Sequence, residues 1–119
     1  MKILEALALN NVLSEVRITG DGISRETRAA VMKSKIALSA VAAQFDSTRA
    51  AIAKEVEALE PTAKEMQFRE LLSSQLEEVA DTKLQPLSEE ALNTLLDKCD
   101  LKTSEVELLY KHLTDKQWN

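Results

Sequence analysis

The chain is poor in the residues that carry recognisable chemistry. Its 119 residues hold two Gly, two Pro, one His, one Cys and four aromatics, Phe45, Phe68, Tyr110 and Trp118. With glycine only at positions 20 and 22, no G-x-x-x-x-G-K-[ST] phosphate loop can be written, and Gly20-Asp21-Gly22 lacks the third glycine of a dinucleotide fingerprint. One Cys excludes a disulfide within the chain. One Cys and one His exclude a zinc site of the usual Cys/His type. No apolar run approaches the roughly 18 residues of a membrane span; the longest, Ile36 to Ala43, already contains Ser39. After Met1-Lys2, the stretch Ile3 to Leu13 is interrupted by Glu5, Asn10 and Asn11 and is not followed by a small-residue cleavage site, so it is not read as a signal core. The expectation is a cytoplasmic protein with Cys99 reduced.

What is present is helix. The segment from Lys2 to about Val16 sets Ile3, Leu4, Leu7, Val12, Leu13 and Val16 near helical spacing. Gly20-Asp21-Gly22 then turns the chain, and Ser24 is a natural N-cap. From 24 to about 59 there is no Gly and no Pro, and there are ten alanines, which predicts one long central helix. At 100° per residue its Val31, Leu38, Val41, Phe45, Ile52, Val56 and Leu59 share a sector of about 80°. A second set, Ala29, Met32, Ile36, Ala43 and Ala50, gathers on nearly the opposite face. Two apolar faces require two partners, so the first half of this helix is expected to be sandwiched between helix 1 and either a later helix or another subunit. Asp46-Ser47-Thr48 offers a place for a break.

Glu60-Pro61 ends or kinks the long helix. Thr62 to Glu65 reads as a capping box for a third helix, about 62–82, with Phe68, Leu72, Leu76 and Val79 inward. A sharp turn at Pro61 would make helices 2 and 3 an antiparallel hairpin. Ser88 opens a fourth helix, about 88–99, with Leu92, Leu95, Leu96 and Cys99 inward, and Ser104 to Glu107 is a second capping box, for a fifth helix burying Val106, Leu109, Tyr110 and Leu113. The fold expected is all-α: one domain over 1–119, with a long-helix bundle core at 1–82 and a C-terminal helical hairpin at 88–115 packed on it.

No catalytic, cofactor or metal site emerges. Cys99 and His112 could approach across the helix 4 to helix 5 turn as a Cys/His pair, but nothing in the spacing demands it, and lone residues of these types on helical faces are usually core and dipole partners. A bundle-type di-metal site needs Glu-x-x-His, but Leu109 stands three residues before His112. Glu77-Glu78 and Glu89-Glu90 are adjacent in sequence and therefore on different faces. The segment 88–113 has helix-turn-helix dimensions, so a small DNA-binding regulator is the alternative reading. Its second helix, however, opens on Glu105 and Glu107 and holds no Arg, Asn or Gln for base edges. Nucleic acid is not the expected partner, and no small-molecule substrate is evident.

Charge is uneven. Residues 1–54 carry eight Lys/Arg against five Asp/Glu, and residues 55–119 carry seven against fifteen, for a total of −5. Such halves can satisfy each other within one molecule or between copies. Arg25, Arg28 and Lys35 share about 80° of the long helix, and lacking interleaved aromatics they suit an acidic protein surface better than bases. Trp118 near the end of the chain is a candidate docking anchor. The candidate partner-binding residues are thus Arg25, Arg28, Lys35, Met32, Ile36 and Trp118, and the expected partner is a further copy or another helical protein.

In order, Ala6-Leu7-Ala8-Leu9-Asn10-Asn11-Val12-Leu13, the turn into Gly22-Ile23-Ser24-Arg25, the long helix, Phe68-Arg69-Glu70-Leu71-Leu72 with Leu76-Glu77-Glu78, and the closing Leu101 to Leu109 stretch resemble a family of short helical proteins encoded in phage and prophage genomes. The resemblance covers most of the chain and consists of helix caps and leucines. It implies a phage accessory or assembly protein that works by contact, and it carries over no catalytic residue.

Overall fold

The computed structural model describes residues 1–19 and 21–114, and it is all-α. Five helices follow in order: α1 (Ile3–Ser14), α2 (Arg25–Glu55), α3 (Pro61–Glu77), α4 (Glu89–Leu96) and α5 (Thr103–Leu113). Helix α2 runs unbroken through Asp46-Ser47-Thr48; Thr48 returns its hydroxyl to the Gln44 carbonyl at 3.0 Å instead of capping a new helix. At about 1.5 Å per residue its 31 residues span about 46 Å, which dominates the 56 × 26 × 24 Å outline. The radius of gyration of 17.2 Å exceeds the roughly 13.5 Å of a compact domain of this length.

The excess length is an arm. Helix α1 lies on the inner face of α2 and also packs against α3 and α5, while α4 packs on α5. These contacts close one core, in which Ala6, Leu9 and Leu13 of α1 meet Val31 and Leu38 of α2 and Leu92, Leu95, Leu109 and Leu113 of α4 and α5. Beyond about residue 48, past the hollow that Gln44, Phe45 and Thr48 share with Ile3 and residues 78–81, α3 is the neighbour of α2 among the described residues, and no α3 residue is buried. The C-terminal hairpin is therefore part of the core and does not rest on a finished one, whereas the helix 2–helix 3 hairpin expected to belong to the core projects from it.

Boundaries shift where backbone groups find other partners. Helix α1 ends at Ser14, short of Val16, because the Ser14 hydroxyl donates to Asn11 O at 2.6 Å and Val16 N–H folds back to Leu13 O. Its buried stripe is Ala6, Leu9, Val12 and Leu13, and Leu4 faces solvent. Helix α2 ends at Glu55, not 59; Val56 is buried at the turn and Leu59 is exposed. Pro61 is the first residue of α3, in the position where its missing N–H costs nothing, so the expected box at Thr62 to Glu65 never forms and Glu65 instead pairs with Arg69 at 2.9 Å. Helix α3 stops at Glu77, not 82. The chain then turns extended, Ile3 N–H donates to Glu78 O and Ala80 N–H to Met1 O, and this two-residue periodicity sends Val79 outward (77% exposed) and Ala80 inward. Helix α4 spans 89–96, shorter than expected, since Lys98 and Cys99 N–H bond three residues back in a tightened turn. Helix α5 starts at Thr103, with the Glu105 carboxylate accepting from Lys102 N–H at 2.9 Å, so Ser104 to Glu107 is not the capping box.

The crossing segment from 78 to 88 is pinned along its length. Gln85 N–H donates to the hydroxyl of Ser34, a residue of α2 with 0% exposure, and Leu87 N–H donates to Leu113 O at 2.6 Å. A polar side chain in the middle of α2 thus has its partner where the linker passes.

Candidate interaction surface

The inner face of α2 is occupied, and its outer face is not. Val31, Ser34 and Leu38 are buried against α1 and the linker, and on the opposite side Ala29, Met32, Ile36, Ala43 and Ala50 are all exposed, with Ala40 and Ser47 among them. Met32 and Ile36 stand one turn apart at 42% and 64% exposure. The sandwich expected around the first half of α2 is therefore half built: helix 1 covers one side, and no later helix covers the other among the described residues.

The basic group divides. Lys35 lies at the edge of the inner face, and its ammonium donates to Val16 O at 3.0 Å, just past the C-terminus of α1. There it satisfies a carbonyl and meets the negative end of the helix dipole, so it clamps α1 to α2 and leaves the patch. Arg25 and Arg28 remain exposed in the first turn of α2. Nothing in the sequence signalled the role of Lys35, because it exists only once α1 and α2 pack. Trp118 lies outside the described residues.

Residues not anticipated as surface are Leu59, Met66 and Leu71 on the arm, each exposed. Met66 was legible, since it falls off the Phe68, Leu72, Leu76 stripe; Leu59 was not, because the helix that would have turned it inward stops before it. Near the arm's tip an apolar hollow lies between Ala53, Val56 and Leu59 on one side and Pro61 and Phe68 on the other.

The titratable groups form a structural junction. Glu5, in the first turn of α1, accepts from Lys2 N–H at 3.0 Å and lies 3.4 Å from both Lys111 Nζ and His112 Nε2 of α5. The Lys2 bond chiefly holds the Glu5 carboxyl below its usual range, while burial pushes the His112 imidazole below its own, against the pull of Glu5. Among the described residues His112 Nε2, though buried and 3.4 Å from Glu5 Oε2, makes no well-directed hydrogen bond. Cys99 borders Glu15 and Arg17, past the far end of α1, so thiol and imidazole sit at opposite ends of that helix and form no pair. Among the described residues no group of three or more His, Cys, Asp or Glu side chains could hold a metal ion, and no helix is long and apolar enough to cross a membrane.

On α5 the side opposite Leu109 and Leu113 shows Ser104, Glu107 and Lys111, and Lys111, its one lysine, is engaged with Glu5. Compared with protein-family models, curated proteins and solved structures, the chain matches none of them.

Proposed function

We propose that this chain is a noncatalytic helical interaction or assembly protein that works by helix-to-helix contact, self-association foremost, in the manner implied by its resemblance to short phage and prophage proteins. The observation that carries the reading is the outer face of α2, where Met32 and Ile36 stand in solvent on a helix already packed on its other side. Fully burying such a side chain stabilises a complex by about 1.5–3 kcal/mol. Two copies would bury two of each, a gain of several kcal/mol set against an association cost of at least about 4 kcal/mol. With 42% and 64% of these two side chains exposed, that balance leaves at most a few kcal/mol, short of the roughly 8 kcal/mol of micromolar binding, so association is weak unless the rest of the face, where alanines let backbones approach, contributes as well.

Sedimentation equilibrium from low to high micromolar protein tests it. A mass that rises from monomer to a discrete oligomer over that range supports the reading; a strict monomer throughout overturns it.

A further inference from the structure

Building on that self-association, we infer that the outer face of α2 receives a second copy of this chain in antiparallel orientation, the two-fold axis passing beside Ile36. Side-chain size along the face is graded. Its large members, Met32 and Ile36, lie in the first half of the helix, and Ala40, Ala43, Ser47 and Ala50 follow. A parallel pair stacks large on large and small on small, leaving a clash followed by a gap. An antiparallel pair about Ile36 sets each Met32 against Ala40 of the second copy, leaves Ile36 facing its own counterpart at the axis and places Ala29 against Ala43, so the large side chains are not stacked in a continuous row.

Charge selects the same arrangement. At 100° per residue, Arg25, Arg28 and Asp46 fall within about 60° on one flank of the face. A two-fold axis perpendicular to antiparallel helices brings like flanks together, and reflection of position 46 through Ile36 lands at 26. Asp46 of the second copy then lies between Arg25 and Arg28, and symmetry makes the pairing twice. A parallel pair, with its two-fold along the helices, would instead put these flanks on opposite sides of the contact, with Asp46 about 30 Å along the helix from Arg25, so the opposite charges would not meet. Antiparallel helix dipoles also attract, where parallel ones repel. The contact runs from Arg25 to Ser47, about 33 Å of helix, and leaves the two arms pointing in opposite directions.

Cysteine cross-linking reads this register directly once the native thiol is removed. In the Cys99→Ser background, Ile36→Cys is expected to oxidise to a disulfide-linked dimer, while Ala50→Cys stays monomeric on a non-reducing gel, because antiparallel geometry carries position 50 far from its own copy. Ile36→Glu, whose circular dichroism and melting should match wild type at so exposed a position, is expected to weaken association more than tenfold by sedimentation. Asp46→Arg should also weaken it, and Arg25→Asp with Arg28→Asp should restore it. Ala50→Cys cross-linking as readily as Ile36→Cys, neither cross-linking, or association indifferent to Ile36→Glu overturns the antiparallel docking while wild-type self-association stands. A wild-type monomer at high micromolar concentration overturns both.

Discussion

Helix α2 belongs to two regions that treat its side chains differently. Over its first half it is one wall of a body in which α1, the 78–88 segment, α4 and α5 complete the core, so Val31, Ser34 and Leu38 lose almost all contact with water. Over its second half its neighbours thin to α3, and Phe45 and Ile52 on α2 are only partly buried, as are Phe68, Leu72 and Leu76 on α3. Two helices enclose a seam, whereas a third element is needed to close a core. The body therefore holds most of the stability, and the arm follows it as a less protected extension.

The largest expected effect tests that inequality at its strong end. Leu9→Ala, which empties a fully buried site between α1 and its neighbours, should cost about 3 kcal/mol in denaturant unfolding. A cost below about 1 kcal/mol would show that α1 is not the hub of the body. Ser34→Ala comes next, at about 1–2 kcal/mol, because it strands the Gln85 N–H that the hydroxyl now accepts. Thr at this position should recover part of the loss, as it keeps the oxygen. On the arm, Phe68→Ala should cost only about 1 kcal/mol, since the ring is only partly buried in a two-helix seam that can close over the gap, and amide exchange of 61–77 should outpace that of α1. Equal protection of α3 and α1 would break the division between the regions.

Acid should loosen the body at one corner. His112 titrates below its ordinary value when folded, so between about pH 6.5 and its folded value the unfolded chain binds the extra proton and stability falls as pH falls. Glu5, also held below its ordinary value, contributes stability that is present above about pH 4.5 and lost as pH falls through its folded value. The first decline should be absent in His112→Gln, and a wild-type melting temperature flat from pH 7.5 to about pH 5 would contradict it. The smallest effect belongs to Met66→Lys on the arm surface, expected within about 0.5 kcal/mol of wild type, because 66% of the side chain's surface is already in water.

Much of this architecture is legible residue by residue. Ser24 and Ser88 cap α2 and α4 as their hydroxyls predict, each accepting the N–H three residues on at 3.1 Å, and Pro61 marks the start of α3. The split of α2 into two apolar faces is equally plain from spacing. The candidate surface is legible in part: Met32, Ile36, Arg25 and Arg28 are where a wheel puts them, exposed, but Lys35 is not, because its carbonyl partner is brought near only by packing. Val79 was misplaced for a related reason, since a bridge to Lys2 turned its backbone from helical to extended.

Local sequence alone determined the five helices, the breakers near which they end and the two-faced character of the longest, because propensity, capping and periodicity act within a few residues. Which face of α2 is covered, where the linker's Gln85 finds Ser34, and which half of α2 joins a core and which half an arm were decided only by the tertiary structure. Those outcomes depend on groups distant in sequence competing for the same apolar surface and the same unpaired polar atoms, and that competition has no signature in any single window of the chain.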